Sequence, residues 1–431
     1  MISDIVRKKI SRHFTGEKEI TFHNIIPDDI SIAENIQELN KMGLYLHIPF
    51  CTRICPYCPY NKEIYSDDTA KKYTKAVIKE IEKYAVLTAD KSISSFYIGG
   101  GTPTILLGKG LEDILHAIYK HFNMACSAHI ESHPDHLSNG NLDTLKALGF
   151  KYLSVGVEAL QDRHLKMLER SYTAADVKNV VERAVAKNFD CLNIDYIFDL
   201  PGQTIAEVEQ ATYDMVNLGI GQAATYPLFR FPYTRMGREV AQKRNALATM
   251  FRRRKFLKVI EDIFYSSGFE RSSVWAFTRK GTEKYCSVTV PSYLGLGASG
   301  SSYLKNIFYV NTFSVAEYIR TMEKGASPVA LSVDLSEKAQ MAGWLYWRIY
   351  ETKFRKSDFS QRFNRSFDKE FGTFIKQLKM IGFLTIGQDT IQLTDKGAYW
   401  LHAFEDFFSI DYISKLWGNS KANPWPGQVI L

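Results

Sequence analysis

The chain has 431 residues, of which 45% are hydrophobic and 23% charged, so it is neither a disordered nor a fibrous polypeptide. Net charge is +7, from 54 Lys and Arg against 47 Asp and Glu, an excess that permits an anionic ligand without calling for nucleic acid. No apolar run approaches the roughly 18 residues of a membrane-spanning helix, and residues 1–14 are basic without an apolar core or cleavage site, so a cytoplasmic protein is expected, with no membrane partner.

Residues 1–42 read as a polar N-terminal arm with one or two short helices. From residue 43, runs rich in β-branched or aromatic residues alternate with longer helical patterns. Strands are expected at 44–48, 95–98, 128–132, 152–157, 192–197 and 223–228, and helices at 69–86, 111–122, 142–148, 173–187 and 205–218. Six such units imply parallel pairing through crossovers. The predicted fold is α/β, a partial (βα)6 TIM-type barrel over 43–235, with a doubly wound sheet as the competitor. In both, ligands sit at the strand carboxyl ends. Residues 236–330 read as an extension: a charged helix over 239–266, then strands and turns over 271–309. In 331–431, helices at 336–352, 357–364 and 368–381, a hairpin turning near 387–389 and a helix from 395 make a mostly helical, winged-helix-like unit. The apolar stripe Phe371, Phe374, Ile375 and Leu378 suits docking onto the barrel as a substrate cover better than DNA binding.

Three of the six cysteines fall together, in Cys51-Thr-Arg-Ile-Cys55-Pro-Tyr-Cys58, just after the first strand. Three thiolates at this spacing can wrap one face of an iron–sulfur cube and leave one iron open for another ligand. Zinc is the alternative, but a structural zinc site wants four ligands, usually two separated pairs. His47 reads as a packing or supporting group. After the second strand comes Gly99-Gly-Gly-Thr-Pro103, where glycines let a ligand approach the backbone and free N–H and C=O groups can hold an amino-acid end.

The chain resembles the radical S-adenosylmethionine superfamily, whose motif is three cysteines at this spacing. Tyr45-Leu-His47-Ile-Pro49-Phe50-Cys51, the glycine run, Glu131-Ser-His-Pro134, Ser154-Val-Gly-Val-Glu158 and Asp195-Tyr-Ile-Phe-Asp-Leu-Pro201-Gly-Gln-Thr204 occur in that order. Together they look like the oxygen-independent coproporphyrinogen III oxidase group, which also holds heme chaperones, heme-degrading enzymes and class C methylases. The resemblance implies a 4Fe–4S cluster on Cys51, Cys55 and Cys58 and one or two S-adenosylmethionine molecules. It also implies reductive cleavage to a 5′-deoxyadenosyl radical, an electron donor such as flavodoxin or ferredoxin, and a small-molecule, tetrapyrrole-like substrate. Tyr45, Gly100, Gly101, Thr102 and Glu131 match contacts to the cluster-bound S-adenosylmethionine, and Glu158, Arg170 and Asp195 fall where the oxidase holds a second one.

Three departures stand out. Glu158 replaces a usual glutamine, so that position accepts hydrogen bonds but donates none when ionised. Pro59 and Tyr60 follow Cys58, where the oxidase has another cysteine soon after the cluster. Residues 285–297 lack the histidine of the chaperone pattern. Oxidative decarboxylation, as by a coproporphyrinogen dehydrogenase, radical methylation and tetrapyrrole ring opening therefore all stay open. A heme-binding chaperone without turnover is the reading of another class.

Other features have plainer expectations. Cys126, Cys191 and Cys286 read as buried thiols, and His129, His133 and His136 as surface or packing groups. Arg252, Arg253, Arg254 and Lys255 read as a solvated helix face. Arg230, Arg235 and Arg238 follow the sixth strand, where they could clamp substrate carboxylates.

Overall fold

The computed structural model describes residues 4–241, 246–285 and 290–431; Cys286 lies outside them. Six strands, β1 (Lys41–Ile48), β2 (Ser92–Gly100), β3 (Ala128–Ser132), β4 (Tyr152–Glu158), β5 (Cys191–Phe198) and β6 (Gln222–Pro227), form the centre. They alternate with helices α1 (Asp67–Leu87), α2 (Leu111–His121), α3 (Asn139–Ala147), α4 (Ala174–Ala186) and α5 (Ile205–Asn217). Strands such as β5 are buried along nearly their whole length, because parallel strands are covered on both faces. Each strand pairs in parallel with the next. That sequential order is the barrel's; a doubly wound sheet reverses direction partway.

The sheet stays open and grows at both edges. Beyond β6 lie β7 (Phe269–Arg271) and β8 (Ala276–Arg279), with β8 antiparallel to β6. Helix α6 (Ala246–Ser266) precedes them. On the other side β9 (Tyr293–Leu296) runs parallel to β1, followed by β10 (Ser301–Tyr303), β11 (Ile307–Asn311) and β12 (Val329–Asp334) in antiparallel order. Thr21–His23 then sits between β12 and Gln428–Ile430, so segments from the two ends of the chain finish that edge.

The C-terminal unit starts with α8 (Glu337–Tyr350), which follows α7 (Val315–Glu323). Next come β13 (Lys353–Arg355), α9 (Lys356–Phe363), α10 (Phe367–Met380), β14 (Leu384–Ile386), β15 (Thr390–Leu393) and α11 (Asp395–Ala422). Phe354, Phe359, Phe367, Phe371, Ile375 and Leu378 pack into a core of their own. The apolar stripe of α10 therefore closes this unit rather than docking it. The helices that reach the barrel mouth are α8 and α11.

Candidate active site

The β1–β6 carboxyl ends open into a cavity of about 450 Å³. All three clustered cysteines line it, with Gly100, Gly101, Thr102, Glu131, Glu158, Arg170 and Asp195. Ten of the eleven predicted site residues thus share one wall.

The cysteine loop is built on the glycine loop. Gly101 N–H donates to Ile48 C=O at 2.7 Å, and Thr102 N–H to Phe50 C=O at 2.8 Å. A Cβ at Gly101 would lie 2.6 Å from the Phe50 carbonyl oxygen and 3.0 Å from Cys51 Sγ, so only glycine fits. Thr102 Oγ1 donates to Cys51 Sγ across 3.6 Å. The third amide, Gly100 N–H, donates to Glu131 Oε2 at 3.0 Å. The expectation of free N–H groups in this run is corrected: all three are spent inside the protein, because the loop must support the cysteines.

Tyr45 is the exception to the shared wall. Its hydroxyl donates to His47 Nδ1 at 2.8 Å, and its ring lies 6.2 Å from that of Tyr97, in the layer beneath the cavity. His47 Nε2 lies 2.9 Å from Asn61 C=O, which makes it the donor nitrogen. Burial lowers His47 to about 4, so the ring is neutral. A Cβ on Gly100 would strike it at 2.7 Å, so His47 does support the loop.

Three carboxyl groups converge from β3, β4 and β5. Glu131 Oε1 accepts from Tyr97 Oη at 2.6 Å. Glu158 follows a register shift at the end of β4 and has φ +65°, a strained turn that aims its side chain at the cavity. Asp195 accepts from Ser154 Oγ at 3.0 Å and Asn193 Nδ2 at 3.1 Å. Burial raises the pKa of all three, and Glu158 and Glu131 help push Asp195 to about 8.

The Arg170 side chain is buried. Its Nη1 donates to Cys55 Sγ at 3.2 Å and Tyr57 Oη at 3.3 Å, Nη2 to Gly156 C=O at 2.7 Å, and Nε to Tyr172 Oη at 2.6 Å. The Glu158 carboxylate is farther, at 3.9 Å. The guanidinium is thus committed to the cysteine loop more than to a carboxylate.

Burial raises the Cys51 thiol to about 12 and also raises Cys58, so both are protonated thiols in the metal-free protein. Among the described residues no three His, Cys, Asp or Glu converge on one point, as a single zinc ion would need. Cys51, Cys55 and Cys58, which all line the cavity, are the residues that would hold an iron–sulfur cluster there.

Arg230, Arg235 and Arg238 do not line the cavity. Arg235 pairs with Glu169, and Arg238 Nη1 donates to Tyr233 C=O at 3.3 Å. Nor do Arg253 and Arg254 form a solvated face. Arg253 pairs with Asp199 and Arg254 with Glu261, both at 2.9 Å and both through buried carboxylates. His129 stacks on Tyr152 at 4.1 Å, a packing role, whereas His133 reaches the cavity. Cys191 is buried and Cys126 half-buried.

Sequence reasoning missed many of the other residues that line the cavity. Asn193 is two residues from Asp195 on β5, and Tyr226 lies on the neighbouring β6; a period-two reading would have placed both. Trp275, Tyr346, Tyr350, His402 and Asp406 also line the cavity, brought by the β7–β8 turn, α8 and α11. No local pattern marks them, since only the tertiary fold sets them over the barrel mouth.

Residues 45–212 match the family described as the radical SAM superfamily. The chain is 27% identical over 360 residues to "Heme chaperone HemW" of Bacillus subtilis (strain 168), covering 82% of this chain and 95% of that one. It is 23% identical over 402 residues to "Oxygen-independent coproporphyrinogen III oxidase" of Synechocystis sp., covering 86% of each. The fold is shared with the structure of coproporphyrinogen III oxidase (HemN) from Escherichia coli, at TM-score 0.76 and 20% identity, over 91% of this chain and 94% of that one. Among the described residues no helix is long and apolar enough to cross a membrane.

Proposed function

We propose that this chain, whose residues 45–212 match the radical SAM superfamily and whose fold is shared with HemN, reductively cleaves S-adenosylmethionine and acts on a tetrapyrrole-like substrate, as a coproporphyrinogen III oxidase-like oxidoreductase. A 4Fe–4S cluster and S-adenosylmethionine are the superfamily's cofactors. The observation that carries the reading is the meeting of three thiols, a glycine loop and three buried carboxyls on one wall, under an aromatic roof. When bound, the cofactors supply a 5′-deoxyadenosyl radical that abstracts hydrogen.

Each residue then has a task. Cys51, Cys55 and Cys58 hold the cluster, and Arg170 donates to Cys55 from the side. The carbonyls of the glycine run orient the ammonium group of the ligand. Glu131 accepts from a ribose hydroxyl or the same ammonium. Asp195, protonated up to about pH 8, can donate as well as accept. With Glu158 it gives a second S-adenosylmethionine a place to bind. Tyr346, Trp347 and Tyr350 exclude water from the radical. The electron comes from a donor of the flavodoxin or ferredoxin kind.

A second reading has its own support, since relatives named as heme chaperones align over most of the chain. The test is anaerobic incubation of the reconstituted protein with reductant, S-adenosylmethionine and coproporphyrinogen III. Carbon dioxide release supports oxidative decarboxylation, and a methylated product would move the assignment to a methylase. Stoichiometric hemin binding without S-adenosylmethionine turnover under any condition would replace the enzyme by a chaperone.

A further inference from the structure

Two ammonium groups meet on the segment that follows Cys58. Lys62 Nζ donates to the carbonyls of Cys58 at 2.7 Å and Tyr60 at 3.1 Å, and the residue lines the cavity. Lys421 arrives from the last turn of α11, 362 residues along the chain from Pro59. Its Nζ donates to Pro59 C=O at 2.6 Å and to the same Tyr60 C=O at 3.2 Å, and lies 4.7 Å from the centre of the Tyr233 ring. A lysine in the last turn of a helix ordinarily serves that helix's own carbonyls. This one serves the cysteine loop instead.

Two like charges on one carbonyl oxygen repel each other. Among the described residues neither ammonium forms an ion pair with a carboxylate. Burial and then Lys62 lower Lys421 to about 8, so its ammonium form prevails at pH 7. Positive charge gathered without a counter-charge beside one cysteine suits an anion at that cysteine. Burial raises the Cys58 thiol, and Lys62 opposes that rise by favouring the thiolate. Cys51 and Cys55 receive their donors at sulfur, from Thr102 Oγ1 and Arg170 Nη1. A cluster on three thiolates is anionic and becomes more so on reduction, and its potential follows the charge and hydrogen bonding around it.

We propose that Lys62 and Lys421 raise the reduction potential of the cluster by stabilising its reduced, more negative form. The proposal rests on the iron–sulfur reading above and deepens it. Both lysines are positioning residues: they touch no reacting atom and act through the field they place on the cysteine loop. In the step concerned, one electron passes from the donor to the cluster, and no bond is made or broken.

The test is a redox titration followed by electron paramagnetic resonance. It uses the full-length chain reconstituted with iron and sulfide, without oxygen, at pH 7 and without S-adenosylmethionine. Iron and sulfide are measured on each sample. Lys62→Gln should make the reduced form about tenfold less favoured, a fall of about 59 mV in a one-electron midpoint. Lys421→Gln, at a more exposed position, should shift the midpoint the same way by less. Lys62→Arg and Lys421→Arg, which keep the charge, should stay near the unaltered value. An unchanged midpoint in both glutamine variants, or an equal fall in the arginine variants, would overturn the proposal. So would a Lys62→Gln chain that takes up no cluster, because the lysine would then be a structural strut. A fall confined to Lys62→Gln would overturn the part assigned to Lys421. An unaltered chain that takes up no cluster defeats the iron–sulfur reading and this proposal with it; a full cluster whose potential ignores both lysines defeats this proposal alone.

Discussion

Gly101 is the residue on which the packing of the cysteine loop turns. A methyl group there would meet backbone, the Phe50 carbonyl at 2.6 Å, and Cys51 Sγ at 3.0 Å. The backbone cannot rotate away as a side chain would, so the cysteine loop must shift. Gly101→Ala should lower thermal stability by about 1–3 kcal/mol and cut bound iron and sulfide by more than half, read by chemical analysis after reconstitution. Asp195 gives a prediction in pH. Its folded pKa is about 8, above the ordinary carboxyl value near 4, so the folded state holds a proton that the unfolded state has lost between those limits. Its contribution to stability is full below about pH 4 and falls away as pH rises toward 8. Asp195→Asn should flatten the decline in melting temperature of the apoprotein over that window; an unchanged slope would show that Asp195 is ionised when buried. At this scale the sequence was most legible for the cysteines and glycines, whose chemistry and close packing are local. It was least legible for Trp275 and His402, whose partners lie far along the chain.

Among the elements, α6, β7 and α11 are joined by Arg271. Its guanidinium bonds the buried Glu261 of α6 and reaches Asp395 at the start of α11 at 3.1 Å. Removing one side of a buried pair strands the other, at a cost of about 3–5 kcal/mol. Arg271→Met should therefore lower the midpoint of thermal or denaturant unfolding by that scale. A change under about 1 kcal/mol would mean that Glu261 is held by Arg254 alone. The six barrel strands could be read from their apolar runs because buried parallel strands need little else. The second half of the sheet could not. β9 pairs with β1, some 250 residues away, and Thr21–His23 pairs with Gln428–Ile430 at the opposite end of the chain. Three-residue strands carry too few positions for a period to show.

Across the whole molecule, the fold brings two distant sets of groups to one cavity. The barrel ends supply thiols, a glycine loop and buried carboxyls; α8 and α11 supply the aromatic roof. The C-terminal unit does line the cavity, through different helices from the one its amphipathic stripe suggested, because that stripe fills the unit's own core. The arginines after β6 illustrate the same limit: order along the chain placed them near the site, but Arg235 is paired with Glu169. The central claim is radical cleavage on Cys51, Cys55 and Cys58. It is tested most directly by reconstituting the protein with iron and sulfide without oxygen, adding dithionite and S-adenosylmethionine, and quantifying 5′-deoxyadenosine and methionine. Equimolar products from the unaltered chain, and none from Cys55→Ala, are the expected result. A chain that holds a full cluster yet yields no 5′-deoxyadenosine, even with coproporphyrinogen III or heme present, would contradict the account.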